Sequence, residues 1–201
     1  VYITGSQQIC INSTTQLFPV TGGSWVSLQP SVASVTNTGL VTGHVSGMAR
    51  FVFTNQIGCV SLPSEWVTVH GKPQAVITGS SQICINGNTQ IIPASGGTWL
   101  SSRPSVLGIN NSGLITGIAS GNAKFVFTDT LTGCRSDSSN VVNVFPNPEV
   151  TLSGSGSICV GQNTLLHPTT GGQWVSLQPS IAAVNSNGTV NGLSPGWAGF
   201  K

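Results

Sequence analysis

Few side chains in this sequence could do chemistry. The 201 residues hold five cysteines, three histidines and four carboxylates: Glu65, Asp129, Asp137 and Glu149. General acid–base catalysis needs positioned groups tuned by their surroundings, and none of the four acids returns at a regular interval. A calcium shell asks for six to eight oxygens, usually with several carboxylates. His44, His70 and His167 have no partner at ligand spacing, and there is no Cys-x-x-Cys. No catalytic, metal or cofactor residue is therefore expected. The cysteines are different, because they are periodic. Cys10, Cys84 and Cys159 follow one another at 74 and 75 residues, and Cys134 follows Cys59 at 75.

That spacing belongs to the whole chain. GGSWVSLQPSVASV (Gly22 to Val35) returns as GGTWLSSRPSVLGI (Gly96 to Ile109) and GGQWVSLQPSIAAV (Gly171 to Val184). Such self-similarity defines a repeat architecture. The units are 1–74, 75–149 and an incomplete 150–201 that lacks its C-terminal strands. Each complete unit carries two cysteines. Paired cysteines in small polar units read as disulfides made in an oxidising compartment. The expected bonds are Cys10–Cys59 and Cys84–Cys134, with Cys159 unpaired in this stretch. Buried free thiols are the alternative, and a zinc site is weaker still.

Within a unit, apolar residues alternate at period two and nothing keeps helical spacing. In Ala49–Thr54 and its match Ala123–Thr128, Ala and two Phe take one face while Arg or Lys and Thr take the other. Asn37-Thr38-Gly39, Asn111-Ser112-Gly113 and Ser186-Asn187-Gly188 are hairpin turns whose Gly suits open backbone conformations. Trp66–Val69 and Val141–Val144 close the complete units. Seven or so short strands without a helix predict an all-β fold, a tandem series of immunoglobulin-like β-sandwiches. Proline-bearing linkers, His70–Pro73 and Phe145–Pro148, predict a rod. The first and last strands of such sandwiches are neighbours, so the expected bond pins that edge.

Composition narrows the function. With 5% charged residues and a net charge of +2 there is no basic footprint for nucleic acid. No run of 18 apolar residues could form a membrane-spanning helix. The absence of an initiator Met or leader suggests a piece of a longer polypeptide. Repeat logic would place the third unit's late cysteine at about position 208 or 209.

Pro30–Thr54 (PSVASVTNTGLVTGHVSGMARFVFT) resembles the group 2 bacterial immunoglobulin-like domain. The matching positions are Val32-Ala33, Val35, Gly39, Val41-Thr42-Gly43, Gly47 and Ala49. Leu107-Gly108 and Asn191 depart from that pattern without breaking the alternation. The cysteine pair and Gly-Gly-x-Trp turn resemble a variety found in very long surface proteins of gliding Bacteroidetes, the SprB-type adhesins exported by type 9 secretion. The resemblance implies extracellular spacer or adhesive repeats on a bacterial cell surface, without catalysis. Implied partners are neighbouring repeats, surface polysaccharide or other cell-surface proteins. Asp129-Thr130-Leu131 also resembles the tripeptide that receives O-glycans in exported Bacteroidetes proteins, which makes Thr130 a candidate.

Trp25, Trp99 and Trp174 recur in every unit and read as core. Trp66 and Trp197 do not recur and are the candidate ligand contacts. They support a rival reading, a carbohydrate-binding module. A second rival is a non-catalytic appendage of a large secreted hydrolase.

Overall fold

The computed structural model describes residues 1–201 and contains 22 β-strands and no α-helix. Two compact units divide it, Val1–Pro146 and Asn147–Lys201. The first repeat supplies β1 (Tyr2–Ile3), β2 (Gln8–Cys10), β3 (Thr14–Phe18), β4 (Gly23–Ser27), β5 (Ala33–Val35), β6 (Leu40–Gly43), β7 (Gly47–Ala49), β8 (Phe51–Asn55) and β9 (Val67–His70). The second repeats them as β10 (Val76–Ile77), β11 (Gln82–Cys84), β12 (Asn88–Ile92), β13 (Gly97–Ser101), β14 (Leu107–Ile109), β15 (Leu114–Gly117), β16 (Gly121–Ala123), β17 (Phe125–Asp129) and β18 (Val142–Phe145).

Both form an immunoglobulin-like sandwich. One sheet has the order β1-β3-β6-β5; the facing layer is β2-β9-β7 together with β4-β8. The second repeat matches this pair for pair. Alternation decides which side chains meet between the layers. Phe51, Phe53, Val67 and Val69, with Trp25 beside Phe53 in the same layer, close on Leu17, Ala33 and Val41; Phe125, Phe127, Val142 and Val144, with Trp99 beside Phe127, close on Ile91, Leu107 and Ile115. Trp25 and Trp99 lie tilted against Phe53 and Phe127 at 5.1 and 5.0 Å, and each indole N–H donates to a proline carbonyl, Pro19 or Pro93. The prolines Pro19, Pro93 and Pro168 follow cis peptide bonds.

The expected single strand Ala49–Thr54 is two strands. Arg50 interrupts it, its amide donating to Gln29 Oε1 at 2.8 Å and its carbonyl accepting from the Leu28 amide at 2.9 Å. β7 therefore pairs with β9, and β8 with β4. The chain then turns and runs back beside β8. Ser61 and Ser64 amides donate to Phe53 and Phe51 carbonyls at 2.8 Å, and their hydroxyls accept from the Phe amides at 3.0 and 3.1 Å. This return continues into β9, which starts at Val67 rather than Trp66.

The unit Asn147–Lys201 holds β19 (Thr151–Ser153), β20 (Asn163–His167), β21 (Ala182–Val184) and β22 (Thr189–Gly192) in the order β19-β20-β22-β21. The second layer is reduced to a bridge between Ser176 and Phe200.

Candidate functional site

The periodic cysteines do not bond as their spacing suggested. Cys10 is joined to Cys134, with an S–S distance of 2.03 Å and Cα atoms 5.6 Å apart. Cys59, Cys84 and Cys159 carry no disulfide and are exposed. The expected Cys10–Cys59 and Cys84–Cys134 bonds are thus replaced by one bond from the first repeat to the second. Strand register explains why. Cys10 ends β2, which runs parallel to β9 with Cys10 opposite His70. Cys59 sits in the hairpin turn where the chain starts its return to β9. Between that turn and His70 the strand covers on the order of 30 Å, whereas a disulfide needs Cα atoms within about 7 Å. The two cysteines of a repeat lie at opposite ends of it. Cys84 and Cys134 are separated in the same way, since Cys84 pairs with Phe145 at the end of β18.

Both cysteines of the bond are carried on firm supports. At the first-repeat end, the Ile11 amide donates to the His70 carbonyl at 3.0 Å and the Ser13 amide to the Cys10 carbonyl at 2.9 Å. At the second-repeat end, Asp129 organises the turn. Its carboxylate accepts from the Leu131 amide at 2.9 Å, the Thr132 amide at 2.8 Å and the Thr132 hydroxyl at 3.0 Å. Its own amide donates to the Cys134 carbonyl at 2.9 Å. Gly133 takes φ +72°, a conformation that costs glycine little. The Thr132 amide and hydroxyl, with smaller help from the Leu131 amide and the positive charge of His70, hold the Asp129 carboxyl below the usual carboxylate range. Cys134 is fully buried, while its first-repeat counterpart Cys59 is exposed.

A second link lies beside the first. Lys72 Nζ meets Asp137 Oδ1 at 2.7 Å, with the two side chains 29% and 85% exposed. An exposed pair of this kind contributes at most about 1 kcal/mol, so it sets orientation more than strength. Lys72, Asp137 and Arg135 line an open hollow with Cys10 and Asn12. No group of three or more His, Cys, Asp or Glu stands where it could hold a metal ion. Sequence reasoning singled out Asp129 only as part of the Asp129-Thr130-Leu131 tripeptide and passed over Lys72 and Asp137, because neither recurs with the period. The position of Asp129 and Asp137 on either side of Cys134 was the signal available.

The remaining candidates lie apart from this junction or at its margin. Thr130 is exposed in the Asp129 turn and its hydroxyl donates to the Gly96 carbonyl at 2.9 Å. Trp66 is 37% exposed, and the Arg50 guanidinium covers its ring at 4.3 Å from the centroid. Trp197 is 91% exposed and stands on the rim of an apolar groove of about 620 Å³ in the second unit, with Ile158, Leu166, Val190 and Phe200 along it.

No protein-family model and no curated protein matches the chain. Among solved structures it is similar to a C-terminal 282-residue fragment of intimin in complex with the intimin-binding domain of the translocated intimin receptor. That likeness has 12% identity and a TM-score of 0.43, and covers 75% of this chain and 65% of the other. It is also similar to domains 4 and 5 of the S-layer protein SbsC, with 19% identity, a TM-score of 0.24 and coverage of 65% and 74%. A third is the Bacteroides ovatus protein SGBP-B in complex with a mixed-linkage heptasaccharide, with 11% identity, a TM-score of 0.27 and coverage of 78% and 47%. At these identities the likeness is one of fold. The chain spans about two thirds of the intimin fragment's length.

Proposed function

We propose that this chain is a stretch of tandem spacer repeats from an extracellular bacterial surface adhesin, a non-catalytic rod that holds a binding region away from the cell and bears tension. Gliding and type 9 export belong to the same proposal through the resemblance at the cysteines and the Gly-Gly-x-Trp turns. The observation that carries the reading is the Cys10–Cys134 bond. A disulfide fits an oxidising compartment, and this one changes the path that a pulling force takes. Tension applied at Val1 reaches Cys10 and crosses directly to Cys134, bypassing a sequence separation of 124 residues. At about 3.5 Å per extended residue, roughly 430 Å of chain is withheld from stretching.

Single-molecule pulling from the two ends tests this. The oxidised chain should lack about 430 Å of unfolding extension that appears once a reductant is added. Equal extension in both states would defeat the tension-bearing reading. The carbohydrate-binding alternative draws on Trp197, whose ring is free, more than on Trp66, whose face Arg50 occupies. Saturable glycan binding lost on Trp197→Ala would favour it over a spacer.

A further inference from the structure

We propose that Cys84 and Cys59 are linkage sites for other copies of this repeat, each forming the bond already seen between Cys10 and Cys134. Cys84 would receive a late-position cysteine, the place held by Cys59 and Cys134. Cys59 would receive an early-position cysteine, the place held by Cys10, Cys84 and Cys159. The proposal is independent of whether the array serves adhesion.

Three observations carry it. The first is equivalence of position. After each early cysteine the chain makes the same turn: Ser13, Gly87 and Gln162 amides donate to the Cys10, Cys84 and Cys159 carbonyls at 2.9, 2.8 and 3.0 Å. Around each late cysteine the hairpin is likewise shared. Asn55 and Asp129 amides donate to the Cys59 and Cys134 carbonyls at 3.0 and 2.9 Å, and Gly58 and Gly133 both take positive φ. The second is that one early and one late position are bonded to each other across repeats. The third is that neither Cys59 nor Cys84 can reach the other cysteine of its own repeat. Each lies on the order of 30 Å from the cysteine of its own repeat. Cys59 occupies the end of the first repeat opposite the Cys10–Cys134 junction, and Cys84 the end of the second repeat opposite it. Both thiols are exposed.

Bond formation follows ordinary thiol–disulfide exchange. Cys84 and its partner each lose a proton, one S–S bond forms, and the two electrons pass to a disulfide-bearing oxidant of the exporting compartment, which leaves as a dithiol. Repeated along an array, such bonds overlap in sequence, so each repeat is tied to both neighbours.

Non-reducing peptide mapping of the native full-length protein, with free thiols alkylated before unfolding, is the test. The expected result is that Cys59 and Cys84 escape alkylation, each cross-linked to a peptide bearing the complementary cysteine of another repeat. Non-reducing denaturing electrophoresis then tells a link within one polypeptide from a link between two, and either supports the proposal. Cys84→Ser should abolish the Cys84 cross-link and leave the Cys10–Cys134 and Cys59 peptides unchanged. Alkylated Cys59 and Cys84, a Cys10–Cys59 or Cys84–Cys134 peptide, or a Cys59–Cys84 link within one polypeptide, would overturn it.

Discussion

The second repeat and the unit Asn147–Lys201 share a sequence pattern and differ in what closes it. In the second repeat, ten buried side chains form one cluster; in the third, three do. The difference sits in the strand that returns last. β18 lies between β11 and β16 and lowers Val142 and Val144 into the core. The third repeat's counterparts of β11 and β16 are not in strands. Both segments line the apolar groove beneath Trp197. A closed sheet, rather than the strands preceding it, is what makes these apolar side chains a core.

The largest expected contrast follows from this. Phe125 is fully buried, whereas its counterpart Phe200 only packs against the edge of the small cluster. Phe125→Ala should cost about 3–5 kcal/mol, and Phe200→Ala less than about 1 kcal/mol. Urea denaturation read by tryptophan fluorescence, with hydrogen exchange to assign the affected repeat, measures both. Similar losses would mean that the third core is more complete than its burial shows.

Glycines at matched positions give a sharper version. Gly97 faces β17 so closely that a Cβ there would collide with the Thr128 carbonyl and the Phe127 ring, while a Cβ at Gly172 meets nothing within 4 Å. Gly97→Ala should destabilise by about 1–3 kcal/mol through overpacking. Gly172→Ala should stay within about 0.5 kcal/mol, as unconstrained surface changes do. Thermal unfolding of the two variants decides it, and a silent Gly97→Ala would remove the close approach from the argument.

What could be read in advance was local. Alternation through Phe51 and Phe53 placed the core face correctly, and the Gly-Gly-Trp phrase placed Trp25 and Trp99 inside. Gly39 and Gly113 fell where positive φ was needed. Cysteine pairing was different because it depends on strand direction. Reading Cys59 as adjacent to the last strand was right along the sequence, but that strand begins at the far end of the repeat from Cys10. Nothing in the alternation says which end of β9 faces β2. Asp129 and Asp137 were discounted because acids did not recur, yet a junction is where a periodic chain can place an unrepeated contact.

The smallest effect contrasts the two cysteine-bearing turns. Asn55 caps the first, its side-chain oxygen accepting from the Ile57 and Cys59 amides at 3.2 and 2.9 Å. Asp129 caps the second with an ionised carboxylate, and its pKa is lowered. A depressed carboxyl contributes stability that is complete above the unfolded pKa, near 3.9, and is lost as pH falls through the lower folded value. Between neutral pH and about 4 both turns should therefore hold alike. Below that, the Leu131 and Thr132 amide resonances should titrate with a midpoint under about 3.9, while those of Ile57 and Cys59 stay still. Asp129→Asn should make the second turn behave as the first, abolishing the titration and leaving the Cys10–Cys134 bond in place. A midpoint at or above the ordinary carboxylate value would show that the Thr132 hydrogen bonds do not favour the ionised form, and the turn would then owe its shape to Gly133 and the disulfide instead.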